Sequence, residues 1–121
     1  MQTVLVVDDE PSIRLLCRIN LELEGFDVRE AGTIDDARAA LADGEVGVVL
    51  VDVHVAGVDG RDLARELRAS GRAYGIALLT GTVELSADDR STADAVIPKP
   101  FTIEELLRVV RDLAAGVDSS P

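Results

Sequence analysis

The stretch Val48-Val49-Leu50-Val51-Asp52-Val53-His54-Val55-Ala56-Gly57-Val58-Asp59-Gly60 decides the fold. It opens on four consecutive β-branched or aliphatic residues, the mark of a strand buried on both faces. The strand runs straight into Asp52, a loop follows, and Asp59-Gly60 reads as the entry to a helix. A carboxylate at the carboxyl end of a central buried strand is costly unless something cationic meets it there. The rest of the chain must therefore bring positive charge to that point.

Working outward, the flanking segments alternate between strand and helix. Thr3 to Val7 is a short apolar strand that ends on Asp8-Asp9. Pro11 opens a helix that runs to about Glu24 and stops at Gly25. Ile13, Leu16, Cys17 and Leu21 give it a core stripe, and Leu15, Ile19 and Leu23 a second stripe beside it. Asp27 to Ala31 is a more polar strand, which places it at an edge. Thr33 caps a helix with a thin apolar face of Ala37, Ala40 and Leu41, ended by Asp43-Gly44. After Gly60 comes a helix built on Leu63, Ala64 and Leu67, ending near Ser70-Gly71. Gly75 to Thr80 and Ala95 to Ile97 are two further strands, the last closed by Pro98-Lys99-Pro100. Thr102-Ile103-Glu104-Glu105 is a capping box for a final helix with Ile103, Leu106, Leu107, Val110 and Leu113 inward. Strand and helix alternate five times, which predicts an α/β fold with a parallel sheet covered on both faces. Residues 1–115 make one domain, and 116–121 a tail or linker.

The formal net charge of -11 argues against a nucleic-acid or anionic-membrane surface, since both need a basic patch. It suits a divalent cation or a cationic patch on a partner. Aromatic residues are few, so the core is Val, Leu, Ile and Ala. Cys17 is the sole cysteine and reads as a small core residue, with no internal disulfide. With no visible signal peptide and no apolar run long enough to span a bilayer, the expected location is cytoplasmic.

In open parallel sheets ligands gather at the carboxyl ends of the strands. Those ends carry Asp8 and Asp9, Asp52, Thr80, and, just past the last strand, Lys99. Three carboxylates in one place repel unless charge is supplied. Mg²⁺ does so through oxygen ligands, typically one or two carboxylates plus phosphate oxygens and water. Lysine, hydroxyl and metal on different sides would then hold a phosphoryl group on or near a carboxylate. Taken singly, each residue has a plainer reading: Asp8 and Asp9 as a helix N-terminus, Asp59 as an N-cap, Thr80 as a strand end, Lys99 as a solvated charge.

Together these motifs resemble the receiver domains of two-component response regulators: the doublet Asp8-Asp9, Asp52 followed by Asp59-Gly60, Leu78-Leu79-Thr80, and Pro98-Lys99-Pro100-Phe101. The resemblance covers residues 2 to 115. It implies a five-stranded parallel sheet in order 2-1-3-4-5, the flavodoxin-like receiver fold. It implies that Asp52 is the phosphoacceptor, taking the phosphoryl group from the phosphohistidine of a sensor kinase or phosphotransfer protein. It further implies Mg²⁺ held by Asp8, Asp9, Asp52 and the backbone carbonyl of His54. Thr80 and Lys99 would contact phosphoryl oxygens, and the Lys99-Pro100 bond would be cis. Such a domain promotes its own phosphorylation and dephosphorylation, signals to an output protein that the sequence does not name, and allows weak homodimers. The His54 side chain is expected to face solvent.

Three features depart from the family pattern. Ala56 stands where a proline is usual, which predicts a looser loop. Val96 replaces the usual aromatic switch residue, and Tyr74 lies in the wrong place to substitute. The span from Thr80 to Lys99 is about one helical turn short, and Val83, Leu85, Ala87 and Ala93 give it no helix stripe. A short, polar, mobile fourth helix is expected there, with atypical output. Two other functions compete: a Mg²⁺-dependent phosphatase of similar topology, which would want an aspartate at His54, and a degenerate receiver used only for docking.

Overall fold

The computed structural model describes residues 2–81 and 85–118. Val83, one of the residues read above, therefore lies outside the described residues. Five strands form one parallel sheet: β1 (Thr3–Val7), β2 (Asp27–Ala31), β3 (Val46–Asp52), β6 (Gly75–Thr80) and β7 (Ala95–Pro98). Their spatial order is β2-β1-β3-β6-β7, which is the expected 2-1-3-4-5 arrangement. Two short strands, β4 (His54–Val55) and β5 (Val58–Asp59), make a separate antiparallel hairpin. The helices are α1 (Pro11–Leu23), α2 (Ile34–Leu41), α3 (Gly60–Ala69), α4 (Ala87–Thr92) and α5 (Ile103–Asp118).

The sheet divides the interior into two cores, because alternate residues of a strand point to opposite faces. Leu5, Val7, Val49, Val51, Ile76 and Leu78 pack with α2 and α3. Val4, Val6, Val48, Leu50, Ala77 and Leu79 pack with α1 and α5. The central strand β3 is thus apolar on both faces, as its unbroken run of aliphatics requires. Polar β2 takes the sheet edge beside β1.

Helix ends follow their local chemistry. Gly25, at φ 95, follows the Glu24 cap of α1. Thr33 Oγ1 accepts the Asp36 N–H at 3.1 Å and starts α2. At α5 the Thr102 hydroxyl accepts the Glu105 N–H, while the Glu105 carboxylate accepts from the Thr102 hydroxyl itself. The helix continues to Asp118, through the Gly116 that marks the expected start of a tail. Several positions on the expected core stripes are less buried than read: Ile13, Ala40, Ile103 and Leu107 are half-buried, and Leu16 is exposed, because the inward face of α1 narrows to Cys17 and Leu21. Cys17 is sealed in the core, where burial, with Asp8 adding to it, pushes its thiol up to about 12.

The fourth helix is short and polar, as read: six residues, with Ser86 and Asp89 forming a reciprocal capping box. It is nonetheless tied to α3. Arg61, Arg65 and Arg68 lie on one face of α3, at the spacing that stacks side chains on successive turns. Arg61 bridges Asp59 and Asp89. Arg65 reaches Asp62, Asp88 and Asp89. Arg68 donates to the Thr92 and Tyr74 carbonyls and pairs with Asp94. Most exposed pairs contribute little. Asp89 is different, because its carboxylate is buried. Burial alone would raise its pKa, but hydrogen bonds from Ser86 and Arg61 outweigh that and hold it below the usual range.

Candidate functional site

Sheet order and register bring the predicted site residues to one edge. β1 and β3 lie side by side, so Asp8, just past β1, sits next to the end of β3 at Asp52. Asp52 pairs in register with Leu79, and Thr80 with Pro98. Lys99 follows directly, and its N–H donates to the Thr80 carbonyl at 2.7 Å. The Lys99-Pro100 peptide is cis, as the resemblance implies.

Lys99 answers the question raised by Asp52. Its Nζ lies 2.5 Å from Asp52 Oδ2 and 2.8 Å from Asp8 Oδ2. Burial works against the ammonium, but the hydrogen bonds to Asp52 and Asp8 outweigh it and raise the lysine pKa. Asp8 is fully buried. Burial raises its pKa, and the hydrogen bonds from Lys99 and the Glu10 N–H offset only part of that. Asp52 Oδ1 accepts the His54 N–H at 3.0 Å. The His54 side chain is exposed, as expected.

Carboxylate oxygens of Asp8, Asp9 and Asp52 all lie within 4.8 Å of one another. Hard oxygen donors at this spacing fit the Mg²⁺ ligand chemistry inferred from the sequence. One ammonium facing three carboxylates leaves the cluster electron-rich, which is the condition a divalent cation relieves. Thr80 is buried at the end of β6. Asp59 turns out to be what its plainer reading says, the N-cap of α3, accepting the Arg61 N–H at 2.9 Å.

The loop after Asp52 corrects the expectation of looseness at Ala56. His54 pairs with Asp59 and Val55 with Val58, leaving Ala56-Gly57 as a two-residue turn. Both turn residues have positive φ, 50 and 80, the conformation that matches the twist of a tight hairpin. Proline, fixed near φ -65, could not occupy Ala56 in this turn. The Ala56 N–H donates to Asp9 Oδ2 at 3.0 Å, fastening the hairpin to the acidic cluster. Behind the loop, Gly60 lets α3 start against the end of β3. A Cβ there would sit 1.8 Å from the Asp52 carbonyl oxygen. Sequence reasoning placed Gly60 at a helix entry but missed this contact, which only the packing of α3 on β3 reveals. Val96, in the aromatic's usual place, is half-buried and paired with Leu78.

Comparison with known proteins bears on the same residues. A model of the response regulator receiver domain family matches residues 4–111. The chain is 32% identical over 126 residues to the DNA-binding dual master transcriptional regulator RpaA of Synechocystis, covering all of this chain and 52% of that protein. It is 39% identical to the transcriptional regulatory protein AruR of Pseudomonas aeruginosa, over 94% of this chain and 50% of that one. It thus spans about half the length of the curated relatives it matches. Among solved structures, the response regulator TrrA of Thermotoga maritima, in complex with Mg²⁺-BeF, superposes with a TM-score of 0.84 at 32% identity. That match covers 93% of this chain and 99% of TrrA. TrrA in complex with the histidine kinase ThkA superposes at 0.83, covering 93% of this chain and 98% of that one. With the sheet order, the acidic cluster and a family match over most of its length, the chain belongs to the response regulator receiver domains of two-component systems.

Proposed function

We propose that this domain accepts a phosphoryl group on Asp52 from a phosphohistidine of a sensor kinase or phosphotransfer protein, with Mg²⁺ as cofactor. The observation that carries the reading is the convergence of Asp8, Asp9, Asp52 and Lys99 at one sheet edge. An Asp52 carboxylate oxygen attacks phosphorus, an acyl phosphate bond forms, and the phosphorus–nitrogen bond to the donor imidazole breaks. The leaving imidazole nitrogen takes up a proton. The His54 N–H on Asp52 Oδ1 fixes the carboxylate plane. Lys99, already against Asp52, would pair with a phosphoryl oxygen, and the Thr80 hydroxyl would hydrogen-bond another. Asp8, Asp9, Asp52 and the His54 carbonyl would hold Mg²⁺, which when bound neutralises charge building on the phosphoryl oxygens. TrrA, bound to Mg²⁺-BeF in a closely similar fold, supports this assignment. The same group of residues would promote hydrolysis of the acyl phosphate, so the domain sets its own signal lifetime. His54 stands where a Mg²⁺-dependent phosphatase would need an acid, which disfavours that alternative.

The test is incubation with Mg²⁺ and phosphoramidate. One base-labile phosphoryl adduct should appear on Asp52, and none on Asp52→Asn. Turnover of many phosphate esters would instead indicate a phosphatase, and no reaction a docking module.

The reading places the protein in the cytoplasm, beside the kinase's catalytic portion. Among the described residues no helix is long and apolar enough to cross a membrane. We take as the docking face the side of α1 on which Leu15, Leu16, Ile19 and Leu23 are exposed at helical spacing. The complex of TrrA with its kinase supports a kinase as the occupant. Ile19→Glu should slow phosphotransfer from the cognate kinase roughly tenfold by placing a charge in the contact. As an exposed substitution it should change stability by only about 0.5 kcal/mol. Stopped-flow transfer kinetics beside a denaturant titration would check both, and unchanged transfer would remove this face from the interface.

A further inference from the structure

We infer that Ala56 is a positioning residue for the cation site, acting through its backbone N–H on Asp9; the inference rests on the receiver reading above. The three clustered carboxylates are held differently. Asp8 is buried and fixed by Lys99 and the Glu10 N–H. Asp52 is buried and fixed by Lys99 and the His54 N–H. Asp9 is exposed, so without a partner its carboxylate would sample several rotamers. Its Oδ2 accepts the Ala56 N–H at 3.0 Å. A carboxylate that accepts through one oxygen has its plane and its second oxygen oriented, which prepares it to ligate a cation.

The turn is shaped for this contact at a conformational cost. Ala56 has φ 50, a region that an L-residue with a Cβ enters only against steric resistance. Glycine would adopt it freely, and asparagine or aspartate more easily than alanine. The backbone is held there by the flanking hairpin pairs His54-Asp59 and Val55-Val58. The N–H that this conformation aims at Asp9 is one that proline, lacking it, could never supply. In this chain, therefore, the hairpin and the acidic cluster form one unit, and the metal site is assembled from the loop as well as from the strand ends.

The test is Mg²⁺ affinity by calorimetry in the absence of any phosphodonor. Replacing the Ala56 amide by an ester, with lactate at position 56, removes the N–H and keeps the methyl group and the turn. Affinity should fall about tenfold, the lower end of what loss of an orienting partner costs a metal site. Ala56→Gly keeps the N–H and accepts the same φ, so it should retain the affinity. The ester combined with Asp9→Asn should bind no more weakly than Asp9→Asn alone, because the N–H acts only through that carboxylate. Wild-type affinity in the ester, or an additive loss in the double variant, would overturn the inference. Absence of Mg²⁺ binding by the unaltered protein would instead overturn the receiver reading beneath it. Thermal unfolding without Mg²⁺ separates loss of the clamp from loss of the fold: an ester variant that unfolds at the wild-type temperature yet binds Mg²⁺ weakly supports the clamp.

Discussion

Gly60→Ala should be among the most damaging single-methyl additions in the protein. Its Cβ would lie 1.8 Å from the Asp52 carbonyl oxygen and 3.0 Å from the Asp52 carbonyl carbon and Val51 Cγ2. None of these atoms can yield cheaply: two are backbone of the central strand, and Val51 is fully buried. The start of α3 would have to retreat, stretching the Gly60 N–H bond to the Val53 carbonyl, now 2.8 Å. Overpacking of this kind costs about 3 kcal/mol or more. Because the displaced atoms belong to Asp52, the proposed acceptor, the rate of its phosphorylation should fall in any molecules that still fold. Two other glycines calibrate the effect. Gly71, in the turn just after the Ser70 cap of α3 and at φ 78, has nothing within 4 Å of its Cβ position. Gly71→Ala should therefore show only the left-handed backbone cost, about 1 kcal/mol. Gly81 has no positive φ and, among the described residues, nothing within 4 Å of its Cβ position, and its replacement should be nearly neutral. Urea denaturation of the three variants would check the order, and a Gly60 variant as stable as the Gly81 one would refute the close-packed junction.

Much of this architecture can be read from the chain because strands here are unbroken aliphatic runs that stop at a polar residue. β1 stops before Asp8, β3 ends on Asp52 and β6 on Thr80. The polarity of Asp27 to Ala31 marks the edge: among the described residues that strand pairs with β1 alone, and only its Ala31 is fully buried. The site is legible because its members are those stops, and topology gathers stops at one edge. The β4-β5 hairpin is not legible. Its turn is Ala-Gly, and alanine gives no warning of positive φ, whereas asparagine or aspartate would. The hold on α4 is hidden for another reason. The segment has no apolar stripe to read, since the residues that bind α4 are Arg61, Arg65 and Arg68 on a different helix. Their spacing on α3 was a usable signal, but its meaning depends on which element lies opposite. Leu16 shows the limit of periodicity itself. It falls on the stripe of Cys17 and Leu21 by spacing, yet the packed face of α1 is too narrow to include it.

Removing the ammonium should expose the electrostatic cost of the site. In Lys99→Ala, buried Asp8 and Asp52 lose the cation that both contact. Breaking a buried pair while leaving its carboxylates in place costs roughly 3 kcal/mol. The loss should depend on pH in a defined direction. Asp8 is already raised by burial, with Lys99 pulling it back, so without the lysine it rises further. A carboxyl whose folded pKa exceeds its unfolded value costs stability at pH values above the unfolded one, and the cost disappears as protonation fills both states. The variant should therefore be most destabilised at neutral pH and approach the wild type as pH falls through the raised Asp8 value toward 3.8. In the wild type the lysine's contribution runs the other way: it is complete below 10.5 and lost as pH rises through the raised folded value. In the proposed cation site Mg²⁺ would supply positive charge to the same carboxylates and bind the variant more tightly, so a concentration a hundredfold above the variant's dissociation constant should stabilise the variant by about 2.7 kcal/mol and the wild type by less. On the proposed role of Lys99 as a charged donor to the transferring group, phosphorylation by phosphoramidate should slow roughly a hundredfold. Denaturation curves at several pH values, with and without Mg²⁺, would test the ordering. A stability deficit that is flat from pH 4 to pH 7 and insensitive to Mg²⁺ would mean that Lys99 acts by packing its aliphatic stem and not by neutralising the cluster.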